Sequence, residues 1–211
     1  MTHRASPYRE WAKRAFDLML SSLGLLFSAP LWPLIALAIK LEDGGPVFYV
    51  HERWGRDRRV IRVWKFRSMV ADAAETFGAV PAGVADPRVT KTGVVLRRMG
   101  LDELPQLLSI WLGDMSLVGP RALAIDERYR APDGSLTRYG DVAGFDERLS
   151  VRPGLTGLAT VYLAKDALPH DRFALDIEYV RTHSLGLDLR LVALSLWISF
   201  RGRWEDRATK L

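Results

Sequence analysis

Between Leu18 and Ile39 the chain runs for 22 residues without a charged side chain, LMLSSLGLLFSAPLWPLIALAI. As one continuous helix this run would reach about 33 Å, enough to cross the hydrocarbon core of a bilayer. Pro30 and Pro33 stand in its middle. Each removes a backbone donor and crowds the carbonyl one turn earlier, so a kink or break is expected there. The run is too long for the apolar core of a signal peptide and continues past Ser28-Ala29-Pro30, so cleavage is not expected. Arg4, Arg9, Lys13 and Arg14 precede it, and Lys40, Arg53, Arg56, Arg58, Arg59 and Arg62 follow it. Lysine and arginine mark the cytoplasmic side of a membrane segment, so cationic flanks at both ends specify a single crossing poorly. A helix-break-helix hairpin that dips into one leaflet and returns reconciles length with charge. Carbonyls freed near Pro30 and Pro33 would be satisfied in part by Ser21, Ser22 or Ser28. The same residues leave a kinked span open.

The rest of the chain has the composition of a folded domain, since 48% of the 211 residues are hydrophobic and 26% charged, far from the signature of disorder. The absence of cysteine excludes disulfides, thiolate-bound zinc, iron–sulfur clusters and a thiol nucleophile. The four histidines, His3, His51, His170 and His183, lie far apart in sequence, so a bound metal is expected to take oxygen ligands. A formal net charge of +5 and a pI near 9.7 favour a polyanionic partner: nucleic acid, anionic lipid or a phosphorylated substrate.

The coarse pattern predicts an α+β chain with a hairpin of helices over 1–40 and one globular, mostly helical unit over 41–211. Val47 to Arg53 and Val60 to Met69, rich in β-branched and aromatic residues around Gly55-Arg56-Asp57, predict a short β-hairpin. Val70 to Val84 predicts a short Ala-rich helix giving way to a loop. Apolar residues at Leu101, Leu104, Leu107, Leu108, Trp111 and Leu112 have a helical period that stops at Gly113. Asp102 is then the expected N-cap, with Glu103 and Pro105 in the first turn. Ser116 to Arg121 reads as a strand or loop ending in a turn, and Arg152 to Gly157 as a Gly-rich turn, with a polar insertion between them. Gly186 to Phe200 reads as an interfacial amphipathic helix or a core helix.

Two adjacent carboxylates opening a helix are ordinarily a cap with a favourable dipole contact. Asp102-Glu103 also admits a chemical reading, in which a carboxylate at the positive end of a helix stays ionised and attacks phosphorus or binds a hard cation. Lys65, Arg67, Lys91, Arg97, Arg98 and Arg121 would form a dense set of phosphate partners if folded around the pair. No Walker A loop and no GxGxxG occurs, so phosphates would be held by cations rather than by a glycine cradle.

Lys-Phe-Arg-Ser-Met at 65–69, Leu-Asp-Glu-Leu-Pro-Gln-Leu at 101–107, Gly-Asp-Met-Ser-Leu-Val-Gly-Pro-Arg at 113–121 and Arg-Pro-Gly-Leu-Thr-Gly at 152–157 together resemble the bacterial sugar transferases, the monotopic phosphoglycosyl transferases. Lys13-Arg14-Ala15-Phe16-Asp17 and Asp176-Ile177-Glu178-Tyr179-Val180 extend the resemblance over almost the whole chain in the family's order. It implies transfer of a sugar-1-phosphate from a UDP-sugar to a polyprenyl phosphate, with release of UMP, as the opening step of glycan or exopolysaccharide assembly. It also implies a monotopic protein at the cytoplasmic face of the bacterial inner membrane, anchored by a re-entrant N-terminal helix among the lipids, with a cytoplasmic catalytic domain. Asp102 carries over as the nucleophile of a phosphosugar-aspartyl intermediate. Glu103 carries over as the neighbouring carboxylate, acting in metal positioning or in activation of the lipid phosphate. The resemblance further implies Mg2+ at Asp102 and Glu103, and leaves a homodimer open.

Several positions depart from the family pattern. The Ser-Pro of the helix break stands here as Ala29-Pro30, with Ser28 one place early and Pro33 beyond. Pro-Arg-Pro reads Pro120-Arg121-Ala122, and the segment that carries a phosphate-binding arginine in some members reads Tyr162-Leu163-Ala164-Lys165. Lys165 would replace that arginine only as a point charge. The competing reading from another class is a membrane-attached basic protein that binds nucleic acid or anionic lipid without catalysis. Under the resemblance no nucleic-acid partner is expected.

Overall fold

In the computed structural model, which describes residues 7–70, 86–131, 134–164 and 167–204, the uncharged run breaks at its prolines. Helix α1 spans Pro7–Ser28 and α2 spans Leu31–Asp43, with a 58° bend between them. Among the described residues no single helix is long and apolar enough to cross a membrane, although the bent pair together meets that length and composition. Pro33 falls in the first turn of α2, where its missing N–H would have had no partner. Ser28, one place early for the family pattern, accepts a hydrogen bond from the Trp32 indole at 3.1 Å. Its hydroxyl also lies 3.4 Å from the Leu25 carbonyl. The Trp32 ring packs edge-on against Phe66, so the break is fastened to the globular part. The inner face of α1 contributes Phe16 to the main core.

The expected hairpin forms from β1 (Phe48–Trp54) and β2 (Val60–Phe66). Its register pairs Tyr49 with Lys65, His51 with Val63 and Arg53 with Ile61. Those six residues therefore share one face, because side chains alternate along a strand and pair across it. Ile61 and Val63 anchor that face in the core. At the end of α2, Glu42 accepts from the Lys91 and Thr92 amides at 2.6 and 3.1 Å. This fixes the start of α3 (Lys91–Met99), which Thr90 caps through its hydroxyl.

The helix expected from residue 101 starts later. Leu101–Glu103 is a 3-10 turn, and α4 runs over Gln106–Leu112. Asp102 is therefore not an N-cap. Pro105 has no N–H to continue an α-helical ladder, and the turn closes instead through Leu104 N to Leu101 O at 3.2 Å. At its far end α4 is capped by Arg14 of α1, whose guanidinium donates to the carbonyls of Ile110 and Trp111 at 2.6 and 2.7 Å.

Residues 154–156, expected to be part of a turn, are a strand. Strands β3 (Ser116–Val118) and β6 (Gly154–Thr156) pair in parallel. Their close approach explains the glycines of both motifs: a Cβ on Gly154 or Gly157 would collide with the backbone of Gly119. The intervening insertion holds the antiparallel pair β4 (Arg128–Arg130) and β5 (Leu136–Arg138), then α5 (Phe145–Arg148). After α6 (Leu158–Tyr162), helices α7 (Pro169–Thr182) and α8 (Leu185–Arg201) close the fold. Helix α8 has one face in the core and another apolar face outside it: Leu191 and Ile198 are fully buried, while Leu196, Trp197 and Phe200 are exposed. The mixture of helices with small sheets accords with an α+β class. The helix expected over Val70 to Val84 falls, apart from Val70, outside the described residues.

A buried polar network ties the terminal helices to β3. Asp17 accepts from the Ser116 hydroxyl and the Leu117 amide, both at 3.0 Å, and Lys13 lies 3.2 Å from it. Lys13 also pairs with Asp188 of α8 at 2.8 Å, and the Tyr179 hydroxyl of α7 donates to Asp188 at 2.8 Å. Burial, aided by the neighbouring carboxylate, holds the Tyr179 phenol protonated. The Lys13-Arg14-Ala15-Phe16-Asp17 and Asp176-to-Val180 motifs thus supply packing and polar contacts that join α1, α7 and α8 to β3.

Candidate active site

The αL conformation of Gly100 at the end of α3 turns the chain directly into the Leu101–Glu103 turn. That turn presents two carboxylates in different environments. Asp102 is 8% exposed, and among the described residues no side-chain hydrogen bond or ion pair engages its carboxylate. Burial pushes it up to about 6; Lys65 and Arg97 pull it back, while the neighbouring Glu103 adds to the rise. It therefore remains mostly ionised at neutral pH, and more basic than an ordinary aspartate. Glu103 accepts a hydrogen bond from Lys65 Nζ. Burial opposes its charge, but Lys65, Arg121 and Arg53 outweigh that and hold Glu103 below the usual carboxylate range.

Arg121 follows β3 on a backbone held from several sides. Gly154 N donates to the Pro120 carbonyl at 2.8 Å, and Arg148 Nη2 donates to the Arg121 carbonyl at 2.7 Å. Arg53 Nη1 donates to the carbonyl of Ala122. Arg148 is itself locked by Asp176, with contacts of 2.6 and 3.0 Å. The Arg121 side chain is left exposed, at a fixed point beside the acidic pair.

Of the cations expected at the site, the fold brings Lys65, Arg97 and Arg121 to the dyad. Arg98 is exposed in the last turn of α3. Arg67 belongs elsewhere. It is 6% exposed, forks onto Asp43 and donates Nε to the Pro46 carbonyl at 2.6 Å, so it clamps the end of α2 to β2. Lys165 lies outside the described residues. Arg53, read from the sequence only as a flanking charge, proves to be a neighbour of Glu103 and Arg121. The signal that finds it is the hairpin register, which puts it on the same face as Lys65.

Two carboxylates without nitrogen or sulfur donors suit Mg2+, which takes one or two protein carboxylates and completes its shell with water and phosphate. No cluster of three or more candidate metal-binding side chains occurs among the described residues, so a richer protein cage is not offered. A paired acidic turn ringed by cations can bind a phosphorylated ligand and present one uncommitted carboxylate to it.

The family described as bacterial sugar transferase matches residues 8–202. The chain belongs to that family. An exopolysaccharide production protein of Rhizobium leguminosarum bv. phaseoli is 40% identical over 185 residues, covering 85% of this chain and 90% of the relative. A second exopolysaccharide production protein, from Rhizobium meliloti (strain 1021), is 40% identical over 205 residues, covering 90% and 86%. The UDP-glucose:undecaprenyl-phosphate glucose-1-phosphate transferase of Escherichia coli (strain K12) is 40% identical over 195 residues, covering 89% of this chain but 40% of the relative. This member of the sugar transferase family thus matches nearly the full length of the first two and less than half of the third. The four central motifs of the family form the dyad turn, the Lys65 strand, the Arg121 turn and the glycine-packed strand beneath it.

Proposed function

We propose that this chain is a phosphoglycosyl transferase that moves a sugar-1-phosphate from a UDP-sugar to polyprenyl phosphate and releases UMP. The observation that carries the reading is the asymmetry of the dyad: Glu103 is bonded to Lys65 while Asp102 is buried, basic and uncommitted. The printed names of relatives, among them the Escherichia coli glucose-1-phosphate transferase, support the substrate pair. An Asp102 carboxylate oxygen attacks the sugar-bearing phosphorus, the bond to the bridging oxygen breaks, and UMP departs with that oxygen. An oxygen of polyprenyl phosphate then attacks the same phosphorus, and the acyl phosphate bond breaks to regenerate Asp102. Lys65, Arg97 and Arg121 hold and neutralise the phosphates. Mg2+, held by Asp102 and Glu103, would offset charge on the diphosphate so that an anionic nucleophile can approach.

The proposal sets the chain at the cytoplasmic face of the bacterial inner membrane. Leu26 and Phe27 of α1, Leu34 and Leu41 of α2, Leu112 of α4, and Leu196 and Phe200 of α8 are all more than half exposed. Apolar exposure on this scale is stable against lipid rather than water. The test is Mg2+-dependent UMP release from a panel of UDP-sugars beginning with UDP-glucose, with and without undecaprenyl phosphate. Asp102→Asn should lower turnover by at least about 1,000-fold with the thermal midpoint unchanged, and donor alone should leave a phosphosugar adduct on Asp102 of the wild type. Near-normal turnover in the variant removes the nucleophile assignment.

A further inference from the structure

The number of donors each arginine uses on the protein separates the arginines of this fold. A guanidinium carries five N–H donors and keeps its charge, so a buried one is stable where those donors find acceptors. Arg67 uses Nε and both Nη groups on Asp43 and Pro46. Arg148 uses Nε and Nη2 on Asp176 and the Arg121 carbonyl, so its charge is paired although its Nη1 is buried without a partner. Arg53 makes one hydrogen bond, from Nη1 to the Ala122 carbonyl, and its Nε is buried without a partner. Burial and the adjacent Arg121 both disfavour its charge, and Lys65 extends from the same face of the hairpin. Of the nearby carboxylates, Glu103 accepts from Lys65 and Glu127 from the Ala124 amide at 2.9 Å, and among the described residues neither is hydrogen-bonded to Arg53.

Arg53, Lys65 and Arg121 thus gather around Glu103, and Arg53 keeps donors that meet no protein acceptor, an arrangement that an incoming phosphate dianion completes. We propose that Arg53 is a further substrate-binding residue, holding a phosphate oxyanion with the donors the protein leaves unused, alongside Lys65 and Arg121. This rests on the transferase reading for the identity of the phosphate, which belongs either to the nucleoside diphosphate or to the prenyl phosphate. The rival role for Arg53 is an anchor of β1 onto residues 122–124, where Trp54 N donates to Leu123 O at 2.8 Å.

The experiment titrates inorganic pyrophosphate onto the full chain in lipid nanodiscs, for wild type, Arg53→Lys and Arg53→Gln, with thermal midpoints alongside. Arg53→Lys keeps the charge and a donor for Ala122 but loses the fork. Loss of charge-assisted hydrogen bonds should weaken pyrophosphate by about tenfold or more in Arg53→Gln and about threefold or more in Arg53→Lys. The midpoint of Arg53→Lys should stay within about 2 °C of wild type. In UMP-release assays KM should rise for the substrate whose phosphate Arg53 holds. A rise confined to the UDP-sugar identifies the diphosphate, and one confined to undecaprenyl phosphate identifies the lipid phosphate. Should Arg53→Gln fail to fold, Arg53→Lys decides alone. Wild-type affinity for pyrophosphate and both substrates in Arg53→Lys, or no pyrophosphate binding by wild type, overturns the proposal and leaves Arg53 an anchor. Pyrophosphate binding that depends on Arg53 in a protein that releases no UMP would overturn the transferase reading and keep the phosphate site.

Discussion

Replacing Arg148 with methionine should destabilise the chain by about 3–5 kcal/mol at neutral pH, the cost of stranding one member of a buried ion pair. The Arg148 side chain is 1% exposed and that of Asp176 is 3% exposed. Methionine fills much of the same volume, so the cavity contribution is small, and the loss falls on the two contacts to Asp176 at 3.0 and 2.6 Å and on the 2.7 Å bond to the Arg121 carbonyl. Burial already pushes the Asp176 carboxyl above its ordinary value, with Arg148 pulling it back; without Arg148 it rises further. A carboxyl whose folded pKa exceeds its unfolded one contributes stability that is fully present below the unfolded value and is lost as pH rises through the folded value. The deficit of Arg148→Met should therefore be smallest near pH 4 and grow toward neutrality. Urea unfolding followed by tryptophan fluorescence at several pH values measures it, and at neutral pH the thermal midpoint should fall by roughly 6–20 °C. Adding Asp176→Leu removes the stranded charge and should restore about half of the loss or more. A deficit below about 1 kcal/mol, one independent of pH, or a double variant no more stable than the single one would refute the reasoning.

Gly154→Ala should cost about 1–3 kcal/mol, because the new Cβ meets the backbone of Gly119 and Thr156. It should also lower turnover by displacing Arg121. Gly140→Ala, with open space around it, is the control, and equal midpoints for the two variants would contradict the packing. Leu196→Glu with Phe200→Glu, on the exposed face of α8, should weaken binding to anionic vesicles by about tenfold or more in a flotation assay while soluble-phase unfolding stays near wild type; unchanged flotation would remove α8 from the lipid-facing surface.

The helix break and the β1–β2 hairpin were legible in the sequence because each rests on local chemistry. Pro30 and Pro33 cannot sustain one continuous ladder, and a β-branched pair of runs around Gly55 has few other uses. The cap at Asp102 was misread for an equally local reason: Pro105 looked harmless in a first turn, but its missing donor held the dyad in a 3-10 turn. Other features were hidden because they depend on partners distant in sequence. The parallel pairing of β3 with β6 joins residues nearly 40 positions apart, and its signal was the bulk forbidden at Gly119, Gly154 and Gly157. The placements of Arg67 and Arg53 were hidden for a similar reason. The motif around Lys65 drew attention to Arg67, while only the register of β1 against β2 puts Arg53 on the working face.

Glu103 and Asp102 are adjacent in the chain, and composition treats them alike; what separates them is the neighbour each acquires. Lys65 reaches Glu103 from β2 and fixes its charge. Asp102 is then kept basic by burial and by the very charge that Lys65 stabilises next door. Exchanging the two roles would require the more committed carboxylate, already below its usual range, to act as the nucleophile, against the dependence of nucleophilicity on basicity. The positive charge of the chain follows the same division. Arg14, Arg67 and Arg148 are engaged by carbonyls and carboxylates inside the fold, whereas Arg53 and Arg121 flank the dyad with donors to spare. A pI near 9.7 does not by itself locate a binding surface; Arg53 and Arg121 are the arginines placed where a phosphate would meet the dyad.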